Sequence, residues 1–217
     1  MKTKAVIWDL DGTLLNTLED LAASTNAALT ACGLPARTIE EVRGFVGNGI
    51  GKLIERAVPG GKERPLFQPV YDAFVAHYAE HSRDTTRPYD GVIELLDALL
   101  EKGVKMAIVS NKIDFAVKAL SRAYFGERMC SAVGDDPSRR RKPAPDSVLV
   151  AMKELGVAKE ETIYVGDSDV DVMTAHNAGL VCCAVSWGFR SAQSLEEAGA
   201  DSISATPEEL LAQLEAR

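Results

Sequence analysis

Short runs of apolar residues, each ending at a polar or charged residue, alternate along much of the chain with segments whose apolar positions recur every three or four residues. The first pattern is typical of strands buried on both faces, and the second is typical of amphipathic helices. We predict strands near Lys4–Asp9, Lys105–Asn111, Met129–Gly134, Thr162–Asp167 and Val181–Ser186, with a weaker edge strand at Asp201–Ser204. Strands that alternate with helices predict a parallel sheet with right-handed crossovers, and therefore a doubly wound, Rossmann-like α/β core.

The strand pattern disappears from about Asn16 to Arg87, where only helical periodicity remains. Turn-forming residues interrupt this region at Gly33–Pro35, from Gly44 to Gly51, and at Pro59–Gly61. We therefore predict an all-helical cap at residues 17–86, inserted into a core that residues 1–16 and 87–217 form. The hinges are expected where the chain leaves and re-enters the core.

Acidic residues follow the first predicted strand. Asp9 and Asp11 come directly after an apolar run and are followed by Gly12 and Thr13. Parallel α/β sheets carry their functional residues at the carboxyl ends of strands. Two carboxylates this close repel each other unless a cation lies between them, and carboxylate oxygens suit Mg²⁺. The alternative is an ordinary strand that ends in an Asp-Gly turn, because that dipeptide is common in turns.

Further polar residues follow or end other predicted strands. The strand Thr162–Asp167 ends in an acid, and Asp171 follows four residues later. Ser110 and Asn111 end another strand. Lys142 precedes two prolines that prevent a helix from starting before Pro145. We expect the hydroxyl group, the lysine and the carboxylates to converge at one edge of the sheet.

In chain order, four short segments resemble the motifs of the haloacid dehalogenase superfamily of phosphotransferases, and the resemblance covers the whole chain. They are Asp9 to Thr13, Ser110-Asn111, Lys142-Pro143 and Gly166 to Asp171. The chain is also similar to the phosphoglycolate phosphatase branch at Val46 to Gly49, Leu53 to Ala57 and Ser186 to Gly188. Thr13 favours a phosphatase, because the related sugar phosphomutases usually carry an aliphatic residue there.

The resemblance implies a role for each motif. Asp9 is the expected nucleophile that forms an aspartyl-phosphate, and Asp11 is the expected general acid and then base. Mg²⁺ is the implied cofactor, held by Asp9, by the backbone carbonyl of Asp11 and by Asp167, with Asp171 bound directly or through water. Ser110, the amide of Asn111 and Lys142 are expected to hold the phosphoryl group. Thr13 offers a hydroxyl and an amide to an anion or to a neighbouring carboxylate.

The substrate implied is a small phosphorylated metabolite, with 2-phosphoglycolate first. The cap would contact the leaving group, and the residues named for this are Asn48, Lys52 and Arg56. Three alternatives stay open: a sugar phosphomutase, a pyrophosphatase of the same superfamily, and a phospho-ligand sensor without turnover.

Composition excludes some functions. The chain has 217 residues, a net charge of −8 and a pI near 5.0, which argues against general nucleic-acid binding despite the basic run Arg139–Lys142. His77 and His81 lie four residues apart, but no third ligand accompanies them, so we predict surface histidines. We expect no membrane anchor, because no apolar run approaches roughly 18 residues. The absence of a leader-like segment and of paired cysteines predicts a cytoplasmic location. The oligomeric state is not indicated.

Overall fold

The computed structural model describes residues 3–217, and the first two residues of the predicted core lie outside this range. The chain divides into two compact units. Residues up to Leu14 and Pro88–Arg217 form the first unit, and Leu15–Arg87 form the second. The divisions lie within two residues of the sequence-predicted boundaries.

The first unit contains a six-stranded parallel sheet with the order β5-β4-β1-β6-β7-β8. Strands β2 and β3 pair in a separate two-stranded sheet. The strands of the described residues are β1 Ala5–Trp8, β2 Leu15–Asn16, β3 Arg87–Pro88, β4 Lys105–Ile113, β5 Ser131–Asp135, β6 Thr162–Gly166, β7 Val181–Val185 and β8 Ser202–Ser204. The predicted doubly wound α/β fold is confirmed.

Strand β1 is central because it pairs in parallel with a strand on each side. Ala5 lies opposite Lys105 of β4 and Thr162 of β6. The apolar residues of β1 are fully buried, as expected for a strand covered on both faces. The strand order reverses at β1, and such a switch point leaves a crevice at the carboxyl ends of the strands.

Helices occupy the connections. In the first unit they are α5 Val92–Glu101, α6 Asp114–Tyr124, α7 Asp146–Leu155, α8 Asp169–Ala178, α9 Ala192–Glu197 and α10 Pro207–Ala216. Helix α7 begins directly after Pro145, as the two prolines predict. Alternate strand residues such as Ile7 and Tyr164 pack with apolar residues of α7 and α8 in one buried cluster. A slip of one residue would turn these side chains to the opposite face, so this packing specifies the strand register.

The second unit is helical and contains α1 Leu18–Ala31, α2 Ile39–Phe45, α3 Ile50–Ala57 and α4 Phe67–His81. Thr38 and Glu41 form a capping box that starts α2. The predicted break from Gly44 to Gly51 is shorter in the structure, because both glycines lie within helices and only residues 46–49 connect α2 to α3. No helix in residues 3–217 is both long and apolar enough to cross a membrane.

Candidate active site

The carboxyl ends of β1, β4 and β6 bring the predicted site residues of the first unit together. Asp9 follows β1, Ser110 and Asn111 lie in β4, and Asp167 follows β6. The backbone amide of Asp9 donates to the carbonyl oxygen of Val165 at 2.8 Å, which ties the end of β1 to β6. The convergence expected from the strand pattern is therefore present.

Three buried carboxylates, those of Asp9, Asp167 and Asp171, form what we term the carboxylate cluster. One ligand oxygen from each lies within 4.8 Å of the others. Among the described residues this is the one group of three or more acidic, histidine or cysteine side chains with such spacing. An all-oxygen, buried and strongly acidic set fits a hard divalent cation such as Mg²⁺.

Lys142 lies among these acids with its side chain only 3% exposed. Its amine donates to Oδ1 of Asp9 at 2.7 Å and to Oδ1 of Asp171 at 2.8 Å. It also lies 3.0 Å from the hydroxyl of Tyr164, which itself donates to Oδ1 of Asp171. Sequence reasoning missed Tyr164, because it occurs inside an apolar strand and follows no motif.

The electrostatics of the carboxylate cluster favour an additional cation. Burial, with the charges of Asp171 and Asp167, raises the pKa of Asp9 well above its usual range, although Lys142 opposes the shift. Burial and Asp171 raise the pKa of Asp167 to about 7. Burial would lower the pKa of Lys142, but Asp171 and Asp9 outweigh it, and the net shift is upward. Three buried acids therefore share one lysine charge, and a bound divalent cation would remove the remaining repulsion.

Asp171 has both carboxylate oxygens engaged. Oδ1 accepts from Lys142 and Tyr164, while Oδ2 accepts from the amide and hydroxyl of Ser168 at 3.1 and 2.6 Å. Ser168 also caps α8 in a reciprocal capping box with Asp171. Helix capping thus orients a member of the carboxylate cluster, a link the resemblance did not indicate.

Asp167 is held by contacts from two loops. Oδ1 accepts from the hydroxyl of Thr13 at 3.0 Å, and Oδ2 accepts from the backbone amide of Phe189 at 2.7 Å. The indole of Trp187 donates to the carbonyl oxygen of Thr13 at 3.0 Å. The segment Ser186–Arg190 therefore orients both the loop after β1 and a predicted metal ligand. The sequence indicated a family resemblance and a packing role for Trp187, and it did not indicate this hydrogen bond.

Asn111 fixes the segment that carries Lys142. Its side-chain amide donates to the carbonyl oxygen of Lys142 at 3.1 Å, and its Oδ1 accepts from the Lys142 backbone amide at 2.9 Å. Ser110, the residue before Asn111, is also buried, and its Oγ accepts a hydrogen bond from the backbone amide of Lys112 at 3.2 Å. The side chain of Asn111 thus acts as a structural bridge in this state.

The side chain of Asp11 lies outside the carboxylate cluster. Both of its oxygens accept from the amine of Lys112, at 2.9 and 3.0 Å. Sequence reasoning missed Lys112, although it directly follows Ser110 and Asn111. The resemblance assigns only the backbone carbonyl of Asp11 to the metal, and that assignment stays a prediction.

The cap residues named from sequence form contacts within the second unit. Arg56 donates to the carbonyl oxygen of Phe45 and to Oδ1 of Asn48, both at 2.8 Å. Lys52 pairs with Glu55 at 2.8 Å and is exposed. Asn48 and Arg56 are therefore brought together, while Lys52 is not part of that pair.

The two histidines of α4 form separate hydrogen bonds. His77 Nδ1 lies 3.0 Å from the hydroxyl of Ser24, and His81 Nδ1 lies 2.8 Å from Oδ2 of Asp84. Their rings stack with centroids 4.2 Å apart. Both are partly exposed, and neither belongs to a three-residue metal group in the described part of the chain.

Comparison with known proteins identifies the family. Residues 6–185 match the model of the haloacid dehalogenase-like hydrolases. A relative from Pseudomonas aeruginosa, an N-acetylmuramic acid 6-phosphate phosphatase, is 34% identical over 213 residues, which cover 97% of this chain and 94% of the relative. A phosphoglycolate phosphatase of Thiobacillus denitrificans is 33% identical over 205 residues, which cover 92% of this chain and 90% of the relative.

A solved structure is similar throughout. It is a predicted phosphoglycolate phosphatase from Lactobacillus delbrueckii subsp. bulgaricus, with 35% identity, a TM-score of 0.95 and coverage of 99% of both chains. These matches confirm the superfamily expected from the four motifs and the enzyme class, a phosphoric monoester hydrolase. The chain belongs to the haloacid dehalogenase-like hydrolase family.

Proposed function

We propose that the protein is a Mg²⁺-dependent phosphatase that hydrolyses a small phosphorylated metabolite through an aspartyl-phosphate intermediate on Asp9. The first candidate substrate is 2-phosphoglycolate. The observation that carries this proposal is the contact between Lys142 and Asp9 inside the carboxylate cluster. A buried cation beside a buried carboxylate, next to further oxygen ligands, suits an anionic phosphoryl group that must approach an anionic nucleophile.

The first step transfers the phosphoryl group to Asp9. A carboxylate oxygen of Asp9 attacks phosphorus, the bond from phosphorus to the ester oxygen breaks, and the departing oxygen takes a proton from Asp11. Lys142 offsets charge on the phosphoryl oxygens and keeps Asp9 oriented.

The second step returns Asp9 to its starting state. The Asp11 carboxylate takes a proton from water, and the water oxygen attacks the phosphorus of the acyl phosphate. The bond between phosphorus and Asp9 breaks, which releases inorganic phosphate and regenerates both acids for the next cycle.

Asp9, Asp167 and the backbone carbonyl of Asp11 would hold Mg²⁺, with Asp171 at or beside the same position. When bound, Mg²⁺ would supply charge neutralisation and orientation of the phosphoryl oxygens. Thr13 and the amide of Phe189 keep Asp167 facing this position.

N-acetylmuramic acid 6-phosphate is the second candidate substrate. The relative named for this activity aligns over 94% of its own length, and the phosphoglycolate phosphatases align over 73% to 90% of theirs. Both candidate substrates carry a carboxylate in addition to the phosphate. We infer that a cationic side chain of the cap contacts this carboxylate, and the candidates are Lys52 and Arg56.

The test is phosphate release from a panel of phosphorylated compounds, with Mg²⁺ and with a chelator. The panel contains 2-phosphoglycolate, N-acetylmuramic acid 6-phosphate, a hexose phosphate, pyrophosphate and an aryl phosphate whose aryl group carries no charge. We expect Mg²⁺-dependent release, fastest for a carboxylate-bearing ester. Isomerisation of the hexose phosphate without phosphate release would indicate a mutase, and binding without any turnover would indicate a sensor.

Cap variants refine the assignment. Lys52→Ala or Arg56→Ala is expected to reduce kcat/KM for the carboxylate-bearing substrate more than for the aryl phosphate, because only the former loses a charge partner. Lys62→Ala, another cation of the same unit, is the control. Equal losses on both substrates would place the substrate-reading cation elsewhere.

A further inference from the structure

We propose that Lys112 is a positioning residue for Asp11: it fixes the carboxylate that transfers protons in both steps and keeps it apart from the carboxylate cluster. This inference rests on the proposed function for the role of Asp11. It adds a residue that none of the four sequence motifs includes.

The contact is bidentate and sheltered. The Lys112 amine lies 2.9 Å from Oδ1 and 3.0 Å from Oδ2 of Asp11, and the two side chains are 4% and 15% exposed. Lysine is almost never this buried unless it is paired. The pair joins residues 101 positions apart, so it fixes the loop after β1 against the end of β4.

Local backbone geometry explains how a lysine reaches this place. Strand β4 is buried through Lys112 and becomes exposed at Ile113. Its pairing with β5 shifts register between Val109 and Ile113. Such irregularities are frequent next to active sites because they redirect side chains. The shift spans Ser110, Asn111 and Lys112, the part of β4 that faces the site.

Lys142 and Lys112 form ion pairs with different acidic residues of the site. Lys142 contacts Asp9 and Asp171, while Lys112 contacts Asp11. Asp11 is close in sequence to Asp9, and a substrate would bring a further negative charge. Without a cation of its own, the Asp11 carboxylate would be repelled from the position that proton transfer requires. Lys112 offsets this repulsion and limits the side chain to one orientation.

This arrangement predicts a selective kinetic defect. The attack of Asp9 on an aryl phosphate with a good leaving group needs no proton donor, so Lys112 should matter little for it. Protonation of a poor leaving group and activation of water both need Asp11, so Lys112 should matter for both. A residue that merely stabilised the fold would affect all steps alike.

The experiment compares Lys112→Met with wild type by rapid quench on an aryl phosphate and by steady-state rates on an alkyl phosphate. We expect a preserved burst of phosphoenzyme, a steady-state kcat lower by ~10- to 100-fold, and a KM changed by less than about threefold. Lys112→Arg, which keeps the charge, should recover part of the rate. Lys105→Met removes a lysine from the other end of β4 and should leave the kinetics unchanged.

A double variant decides whether Lys112 acts through Asp11. In the Asp11→Asn background, Lys112→Met should cause little further loss, because residues that act as one unit are not additive. Losses that multiply would mean that Lys112 acts on the substrate independently, and the proposal would be wrong. A burst lost together with the steady state would also contradict it.

A readout without turnover separates this proposal from the proposed function. Crystal structures of the wild type and of Lys112→Met should show the Asp11 carboxylate displaced or disordered in the variant. An Asp11 side chain that keeps its orientation without Lys112 would overturn the positioning role, whatever the activity. No phosphate release from any ester by the wild type would instead refute the proposed function.

Discussion

Gly188 lies so close to Asp167 that no side chain fits between them. A Cβ atom on Gly188 would lie 2.5 Å from Oδ2 of Asp167 and would overlap the carbonyl oxygen of Gly12. The next residue donates its backbone amide to the same carboxylate oxygen. The backbone of the Ser186–Arg190 segment is therefore the surface against which this predicted metal ligand is held.

Gly188→Ala should lower stability and weaken Mg²⁺ binding together, because the added methyl group must displace either the segment or Asp167. Overpacking of this kind costs ~1–3 kcal/mol. Urea denaturation and calorimetric titration with Mg²⁺ measure the two effects. The control is Gly44→Ala in α2, where no heavy atom lies within 4 Å of the added Cβ, and where alanine should be neutral or stabilise by ~0.5–1 kcal/mol.

Asp167→Asn should weaken Mg²⁺ binding and remove most phosphate release, because a neutral amide cannot offset a divalent cation. Titration calorimetry measures binding without turnover. The matched control is Asp169→Asn, since Asp169 lies two residues away but is half-exposed and outside the carboxylate cluster. Equal Mg²⁺ affinity in wild type and Asp167→Asn would remove Asp167 from the metal site.

Asp9→Asn and Asp11→Asn should fail in different ways. The first variant lacks the nucleophile and should give neither turnover nor phosphoenzyme. The second keeps the nucleophile, so an aryl phosphate should phosphorylate Asp9 and the intermediate should persist, with turnover lower by ~10²–10⁴-fold. Trapping with a labelled aryl phosphate and mass spectrometry of the peptide distinguishes them. A phosphoryl group found on Asp11 would reverse the two roles.

Asp20 should make the second unit sensitive to acid. Its carboxylate accepts from the amides and hydroxyls of Thr85 and Thr86 at 2.6–2.9 Å, and its side chain is buried. Burial works to raise the pKa of Asp20, but these hydrogen bonds outweigh it and the pKa is lowered. The ionised form therefore stabilises the folded state above the unfolded pKa of about 3.9, and this contribution is lost as the pH falls through the folded pKa.

Asp20→Asn should cost ~1–3 kcal/mol at pH 7, because four donors lose a charged acceptor and two of them then face an NH2 group instead of an oxygen. The difference from wild type should shrink below about pH 4. Denaturation at a series of pH values measures this, with Glu19→Gln, an exposed neighbour in α1, as the control. A difference that stays constant down to the acid limit would show that charge on Asp20 is not the cause.

Much of the fold could be predicted from the sequence, because the strands of a parallel sheet covered on both faces are largely apolar. The predicted strand near Thr162–Asp167 and the observed β6 differ by one residue at the end. The ends of helices were harder to predict, since glycine is only mildly unfavourable in a helix and tertiary packing can outweigh its low helix propensity. Gly44 and Gly51 are the examples, because both lie inside helices of the second unit.

The named residues of the first unit were also readable, because parallel strands end at one edge and their terminal residues must converge there. Asp9, Asp167 and Lys142 meet as the motifs indicate. The hydrogen-bond partners that orient these side chains could not be predicted from the sequence. Tyr164 looks like any apolar strand residue, and the amide of Phe189 belongs to a backbone that every residue shares.

The sequence by itself therefore determined the α/β class and the four motifs, since these follow from local hydrophobic pattern and residue type, and the resemblance of the motifs indicated the family. Only the tertiary structure decided which acid pairs with which lysine. Lys142 and Lys112 are both cations near acidic motifs, and nothing in their spacing distinguishes a partner for Asp9 from a partner for Asp11. The register of β4, the shift in its pairing with β5 and the burial of both amines make that choice, because a buried charge is stable only where an opposite charge lies within hydrogen-bond distance.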